Sequence, residues 1–433
     1  MLTGLEVAVI GITCEASGNL NEQNLFSELL KNKELIQNFS ENELVDNGIK
    51  REIIEKSNYI KTGGNIDISN FDFESFGFND EENKLIDPQL KLLLKNSKNV
   101  LNNYGINKTS ERKVGAYLSS SSSYKWKNSV INNYSECDAY NLNKLSLISD
   151  QDYYAAQVSY RLNLQGPSVM MSSACSSSAV SIHQACRALI IGECDVAIAG
   201  GVHAPYPLKS GYFYDPKLIF SKTGHCRTFD KDADGTVPAC GVGILLLKEL
   251  NKAIEDKDEI YGIIKSSYCN NDGNRKAGFT VPSLAGQMDA ISSAYELAEV
   301  DLNNIDFIET HGTGTLFGDS IEIESLKRVF SDVGTKNTCA LGSMKPNIGY
   351  TDTASGVLSV IKALMSLKSH KFPANINFEN LNADINLNGS HFFINKENID
   401  LNKNRPITAG VSSFGDGGTN VHIVLQEFTE GEV

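Results

Sequence analysis

The sequence predicts an α/β fold, and three regularities carry that expectation. Short runs of apolar, β-branched residues recur, Gly or other small residues follow each run, and a helical spacing of apolar positions comes next. EVAVIGIT, KVGAYLS, DVAIAGGV, IYGIIKSS, IDFIETHGT and HIVLQEF are the clearest runs. A strand with one wet face alternates apolar and polar positions. Runs that are apolar throughout therefore belong inside a sheet covered by helices on both faces.

The 433 residues are 41% hydrophobic and 21% charged with 35 glycines, enough material for a sizeable core and many tight turns. The length allows two or three average domains or one large unit, and no low-complexity linker separates parts of the chain. An EDKDE segment near residue 255 divides two strand-rich stretches, 1–255 and 256–433, and hints at an internal duplication. The Asn-, Asp- and Lys-rich tract 31–59 reads as a solvated surface excursion, and SSSSS at 119–123 as a loop.

A formal net charge of −14 argues against a phosphate-backbone binder, whose affinity comes from clustered Lys and Arg. No apolar run approaches the roughly 20 residues a membrane helix needs. VAVIGIT is too short and has no basic leader, so a cytoplasmic protein is expected. The nine cysteines include no C-x-x-C pair. They read as reduced thiols, with neither a disulfide framework nor a metal site.

Four small-residue segments are candidates for chemistry. In MMSSACSSSAVSIHQACRALIIGECDVAIAGGV (170–202), small residues surround Cys175, a helical pattern runs through Val180, His183, Ala185, Cys186 and Leu189, and Gly192 ends it before a strand. Cys175 thus sits at a strand-to-helix turn, where unpaired N–H groups and the positive helix end would stabilise a thiolate. A core cysteine in a helix cap fits the same position. ETHGTGTLFGDSIEIESL (309–326) places His311 at a strand end in a Gly/Thr loop, before a helix expected to start at Asp319. An acid/base role and a structural one are both open for it. The GTGTLFG stretch lacks G-x-G-x-x-G spacing, and no G-x-x-x-x-G-K-[ST] occurs. GSMKPNIGYTDTASG (342–356) sets one large side chain, Tyr350, among small ones. GVSSFGDGGTNVHIVLQEF (410–428) makes a glycine turn before a strand, which can aim backbone N–H groups at an oxyanion.

Taken with VAVIGITC, IDPQ (86–89), VSYRLNLQGPS (158–168), CRTFDKDADGTV (226–237) and NNDG (270–273), these segments resemble the β-ketoacyl synthase domains of modular polyketide synthases, in the thiolase-like superfamily. The resemblance runs over nearly the whole chain. It implies a five-layered αβαβα fold from two similar halves, a homodimer, and acyl substrates delivered on the phosphopantetheine of an acyl carrier protein, with no bound cofactor. Carried over by motif, Cys175 resembles the nucleophile that accepts the acyl chain, and His311 the first catalytic histidine. Thr313 and Thr315 match positions that hold the phosphopantetheine arm. Lys345 and Glu322 resemble a supporting ion pair, and the amides of Cys175 and Asp416 an oxyanion hole. His183, His203, His225, His370, His391 and His422 gain no catalytic role.

Two positions depart from the family pattern. Tyr350 stands where the resemblance expects the second histidine of a Cys-His-His triad, which helps stabilise the enolate left when a malonyl extender loses carbon dioxide. A phenol offers one neutral hydrogen bond in its place. Asp416 replaces an apolar residue and would sit near the malonyl carboxylate unless it turns to solvent or is protonated. Cys240 also departs, without an assigned role. The expectation is a ketosynthase that loads an acyl chain on Cys175 and transfers it without elongation. An ordinary condensing enzyme is the first alternative. A non-catalytic partner like a chain-length factor is the second, and retained Cys175 speaks against it.

Overall fold

The computed structural model describes residues 3–106, 112–133, 139–334 and 338–429. Each of the six apolar runs contributes a strand to one 11-stranded sheet. Across it stand Phe392–Ile394, Cys339–Gly342, Phe307–Glu309, Thr408–Phe414, Thr419–Gln426, Gly262–Asn271, Val7–Ala16, Gly241–Glu249, Val196–His203, Val114–Ser120 and Ser168–Met171. The order repeats. Counted in chain order from each outer side, the first five strands stand 3-2-4-5-1, and the five from Gly262 onward stand 3-2-4-5-1 inside the extra edge strand. Both sets have two parallel pairings followed by two antiparallel ones. They join through Val7↔Ile264, Ala8↔Ile263 and Val9↔Gly262.

Two helices at equivalent places in the repeat, Ser177–Ile190 and Ser355–Ser369, pack on each other and on strands of both halves. Their approach is close: a Cβ at Gly356 would lie 2.8 Å from that of Ala179. Ser178 Oγ also accepts the Val357 amide at 3.0 Å. Helix Pro88–Asn103 covers the first half from outside, and Leu284–Ala298 with Leu316–Val329 covers the second. The outer helices, the two halves of the sheet and the helix pair packed between those halves make five layers. Strands Val7–Ala16, Val114–Ser120 and Thr408–Phe414 are buried along their whole length, as runs covered on both faces must be.

Three local expectations are corrected. The tract 31–59 is not a plain solvated excursion, because Phe39, Leu44, Ile54 and Tyr59 form a small core of their own. Above them the helix Glu41–Asp46 starts at a capping box of Ser40 and Glu43. Ser119 and Ser120 end a strand rather than begin a loop. The helix after His311 starts at Leu316, one turn before Asp319, whose carboxylate instead accepts the amides of Phe229 at 2.8 Å and Gly314 at 3.1 Å.

The eight described cysteines are all free thiols, and Cys137 lies outside the described residues. Among the described residues no helix is long and apolar enough to cross a membrane. No group of three His, Cys, Asp or Glu among them is placed to hold a metal ion.

Candidate active site

The four small-residue segments converge on one place. Strand Ser168–Met171 runs into the turn that carries Cys175, and helix Ser177–Ile190 leaves it. Ala174 has φ 54°, a left-handed conformation uncommon for a residue with a Cβ and of the kind folds keep at reacting centres. The loop after Thr408–Phe414 closes over this turn. A Cβ at Gly415 would lie 2.5 Å from the Ser173 carbonyl oxygen and 2.7 Å from Ser176 Oγ, so the loop reaches the turn only as glycine.

Cys175 is buried. Its S–H donates to the Phe414 carbonyl at 3.1 Å, and His311 Nε2 stands 4.0 Å from the sulfur. The Tyr350 phenol and the Asp416 amide lie near the thiol and act on its charge state. Burial, then the carboxylates of Asp416 and Asp352, push it up to about 12, against the opposing pull of the Tyr350 hydroxyl and the Asp416 amide. The expectation of a thiolate stabilised by the helix terminus is reversed. The sulfur has lost water and faces negative charge, and both favour the neutral thiol.

His311 follows strand Phe307–Glu309, with its ring 5.9 Å from that of Phe414. Burial, then the charge of Lys345, holds its imidazole well below the usual histidine range, so it is neutral at pH 7. Lys345 Nζ donates to the His311 carbonyl. Glu322 accepts the amides of His311 at 2.7 Å and Gly312 at 2.8 Å. Lys345 and Glu322 make no direct contact, but against burial each charge favours the other. Each grips the His311 backbone from its own side.

A buried ion pair supports this turn, between Lys362 Nζ and Glu309 at 2.7 Å. Glu309 also accepts the Met344 amide at 2.8 Å and so anchors the turn that presents Lys345. Removing one member of a buried pair leaves the other charge without compensation. Lys362→Met is expected to lower unfolding stability by about 3 kcal/mol, read from the urea midpoint. An unchanged midpoint would show that the pair contributes nothing.

Thr313 and Thr315 have their hydroxyls 3.0 Å apart. With His311, Tyr350, Phe414 and Asp416 they line a cavity of about 370 Å³. Tyr350 is pinned by its backbone, its amide donating to Val237 at 2.7 Å and its carbonyl accepting from Ala239 at 2.9 Å. Burial first, then the charges around it, hold its phenol well above the ordinary tyrosine value, so it remains a neutral donor. Asp416 sits on the solvent side of the cavity, where partial burial and then Asp352 raise its carboxyl and Lys276 lowers it.

Residues 5–253 match the profile "Beta-ketoacyl synthase, N-terminal domain" and residues 261–379 match "Beta-ketoacyl synthase, C-terminal domain". The chain belongs to the β-ketoacyl synthase family. It is 37% identical over 431 residues to a phenolphthiocerol/phthiocerol polyketide synthase of Mycobacterium tuberculosis, covering 97% of this chain and 29% of that protein. It is 34% identical over 428 residues to polyketide synthase PksN of Bacillus subtilis, covering 98% of this chain and 8% of that one. The chain thus spans less than a third of the length of these curated relatives. Among solved structures, ketosynthase twelve of the bacillaene polyketide synthase from Bacillus amyloliquefaciens superposes with a TM-score of 0.92 at 33% identity. That match covers 98% of this chain and 76% of the other. The module 1 ketosynthase of the same synthase gives 0.86 at 33%, covering 99% and 76%. This ketosynthase domain is therefore of the polyketide synthase type, with the thiolase-like fold.

The structure also brings to the ketosynthase site residues that sequence reasoning missed. Phe414 is used through its carbonyl, which no side-chain pattern announces. Asp352 lies two residues past Tyr350 and influences Cys175, Tyr350 and Asp416; its nearness in sequence was an available signal. Lys276 donates to the Asp416 carbonyl at 3.3 Å across 140 residues of sequence, a separation that carries no local signal. Of the six histidines left without a role, His203 alone approaches this group, with Nδ1 3.6 Å from Asp352. The others bond elsewhere: His183 to Ser267, His422 to Ser412, His391 to Thr338, His225 to Glu34 and His370 to Glu427.

Proposed function

We propose that this ketosynthase domain is a non-elongating acyltransferase, taking an acyl chain from a carrier-protein thioester onto Cys175 and passing it to a second nucleophile. The observation that carries the reading is the Tyr350 phenol, which lines the cavity with His311 and lies near the Cys175 thiol where the family resemblance puts a second histidine. In this reading the phosphopantetheine arm enters past Thr313 and Thr315. Neutral His311 takes the Cys175 proton as the sulfur attacks the thioester carbonyl. The amides of Cys175 and Asp416 hold the oxyanion, and the pantetheine thiol departs with the proton. A second nucleophile reverses the steps.

Malonyl chemistry fits less well. The extender's carboxylate would approach Asp416 and Asp352, and like charges in a partly dry site repel. An acyl carrier protein and a second copy of the chain are the partners this reading implies.

Intact-protein mass spectrometry after separate incubation with acyl thioesters and with malonyl carrier protein tests it. The expected result is an acyl adduct that disappears in Cys175→Ala, with no release of carbon dioxide. Brisk carbon dioxide release with a chain two carbons longer would instead establish an ordinary condensing enzyme. No adduct at all would favour a non-catalytic partner.

A further inference from the structure

We propose that the nucleophile accepting the acyl group is a cationic amine, because the cavity beside Cys175 gathers carboxylates that its lysines do not balance. The inference rests on the acyl-transfer reading and adds the chemical class of the acceptor. Asp272 and Asp416 line the cavity together with Asp319 and Glu322. Asp319 and Glu322 direct their oxygens at backbone amides. Asp272 differs: it is 1% exposed, its Oδ1 accepts from Asn420 at 2.7 Å, and its Oδ2 has no hydrogen-bond partner. Asp352 adds a further carboxylate close enough to Tyr350, Cys175 and Asp416 to influence all three.

The cations nearby are otherwise engaged. Lys276 stands 3.9 Å from Asp272 Oδ2 and donates to the Asp416 carbonyl at 3.3 Å, so one ammonium is shared between two sites. Lys345 is buried, bonds the His311 carbonyl and directs its charge at Asp319 and Glu322, whose carboxyls burial pushes up to about 7, so it leaves Asp272, Asp416 and Asp352 without a counter-charge of their own. Lys217 lies exposed at the rim. His203 faces Asp352, but burial lowers its pKa and leaves it neutral at pH 7, so it does not cancel that charge. A site of this sign repels an incoming anion and concentrates a cation, and a charge partner within ~4–6 Å is worth about 10- to 1000-fold in equilibrium terms.

The chemistry balances without a further reactant. The ammonium enters, and Asp416 at the solvent side accepts one proton and releases it to water. The amine nitrogen attacks the carbonyl carbon of acyl-Cys175, and the C–N bond forms. A second proton passes from nitrogen to His311 Nε2. The C–S bond breaks, His311 returns that proton to the sulfur, and an amide and the free Cys175 thiol result.

The test uses the intact chain, acylated by an acyl thioester and checked by intact mass before any acceptor is added. 1,4-Diaminobutane and 4-aminobutanoate present the same primary amine with an opposite charge at the far end. Amide formation from each is followed by mass spectrometry and corrected for the reaction without enzyme. Transfer to 1,4-diaminobutane is expected to be about tenfold faster or more, with the ratio falling at high salt and in Asp416→Asn. The wild-type ratio stands as a test even where the variant fails to fold. Equal rates for the two amines on an acylated enzyme overturn this inference alone. Failure of Cys175 to acylate overturns the acyl-transfer reading and takes this one with it.

Discussion

Tyr350→His is expected to raise malonyl decarboxylation by about 100- to 1000-fold over the parent, the size of effect seen when one donor aimed at developing charge is added or removed. The phenol is held neutral by burial, so it can offer an enolate oxygen only one uncharged donor. Imidazole at the same backbone position would share the cavity with His311 and leave the sulfur to the Phe414 carbonyl. The gain should be fuller in Tyr350→His combined with Asp416→Ile, because the carboxylate at the cavity mouth still opposes the malonyl carboxylate in the single variant. Carbon dioxide release from malonyl carrier protein, measured against Cys175→Ala as background, reads both. If neither variant rises above the parent, Tyr350 and Asp416 are not what limits decarboxylation.

The strands were legible because burial on both faces demands apolar runs, and all six runs lie in the sheet. The duplication showed only as a weak division near residue 255, since the repeated 3-2-4-5-1 order is a property of pairing and not of local composition. Cys175, His311 and Tyr350 stand out in small-residue loops, which must be small for four segments to meet, as Gly415 against Ser173 shows, whereas Asp416 stands out only against the family pattern. Their electrostatics were not legible. The sign of the shift at Cys175 depends on lost water and on Asp352 and Asp416 arriving from other elements, while local sequence displayed only the helix that follows. The tract 31–59 misled for a related reason: its four core side chains are separated by charged residues, so average polarity hid the cluster.

His311→Ala is expected to slow acylation of Cys175 by about 100- to 10,000-fold, the usual contribution of a positioned general base. With the thiol pushed up to about 12, only about one molecule in 100,000 carries thiolate at pH 7, so a preformed ion pair with imidazolium is not the resting state. The pair starts neutral on both sides, and the proton must move to His311 as the sulfur attacks. Alkylation by iodoacetamide separates the two parts of this account, because it reports thiolate without needing the acyl pocket. Its rate at Cys175 should climb about tenfold per pH unit from 7 to beyond 10, and Asp416→Asn, by removing negative charge beside the sulfur, should shift that rise to lower pH. An alkylation profile that levels off near pH 7 would mean a stabilised thiolate after all. His311 would then have little proton to take, and the acylation rate of His311→Ala should match the parent.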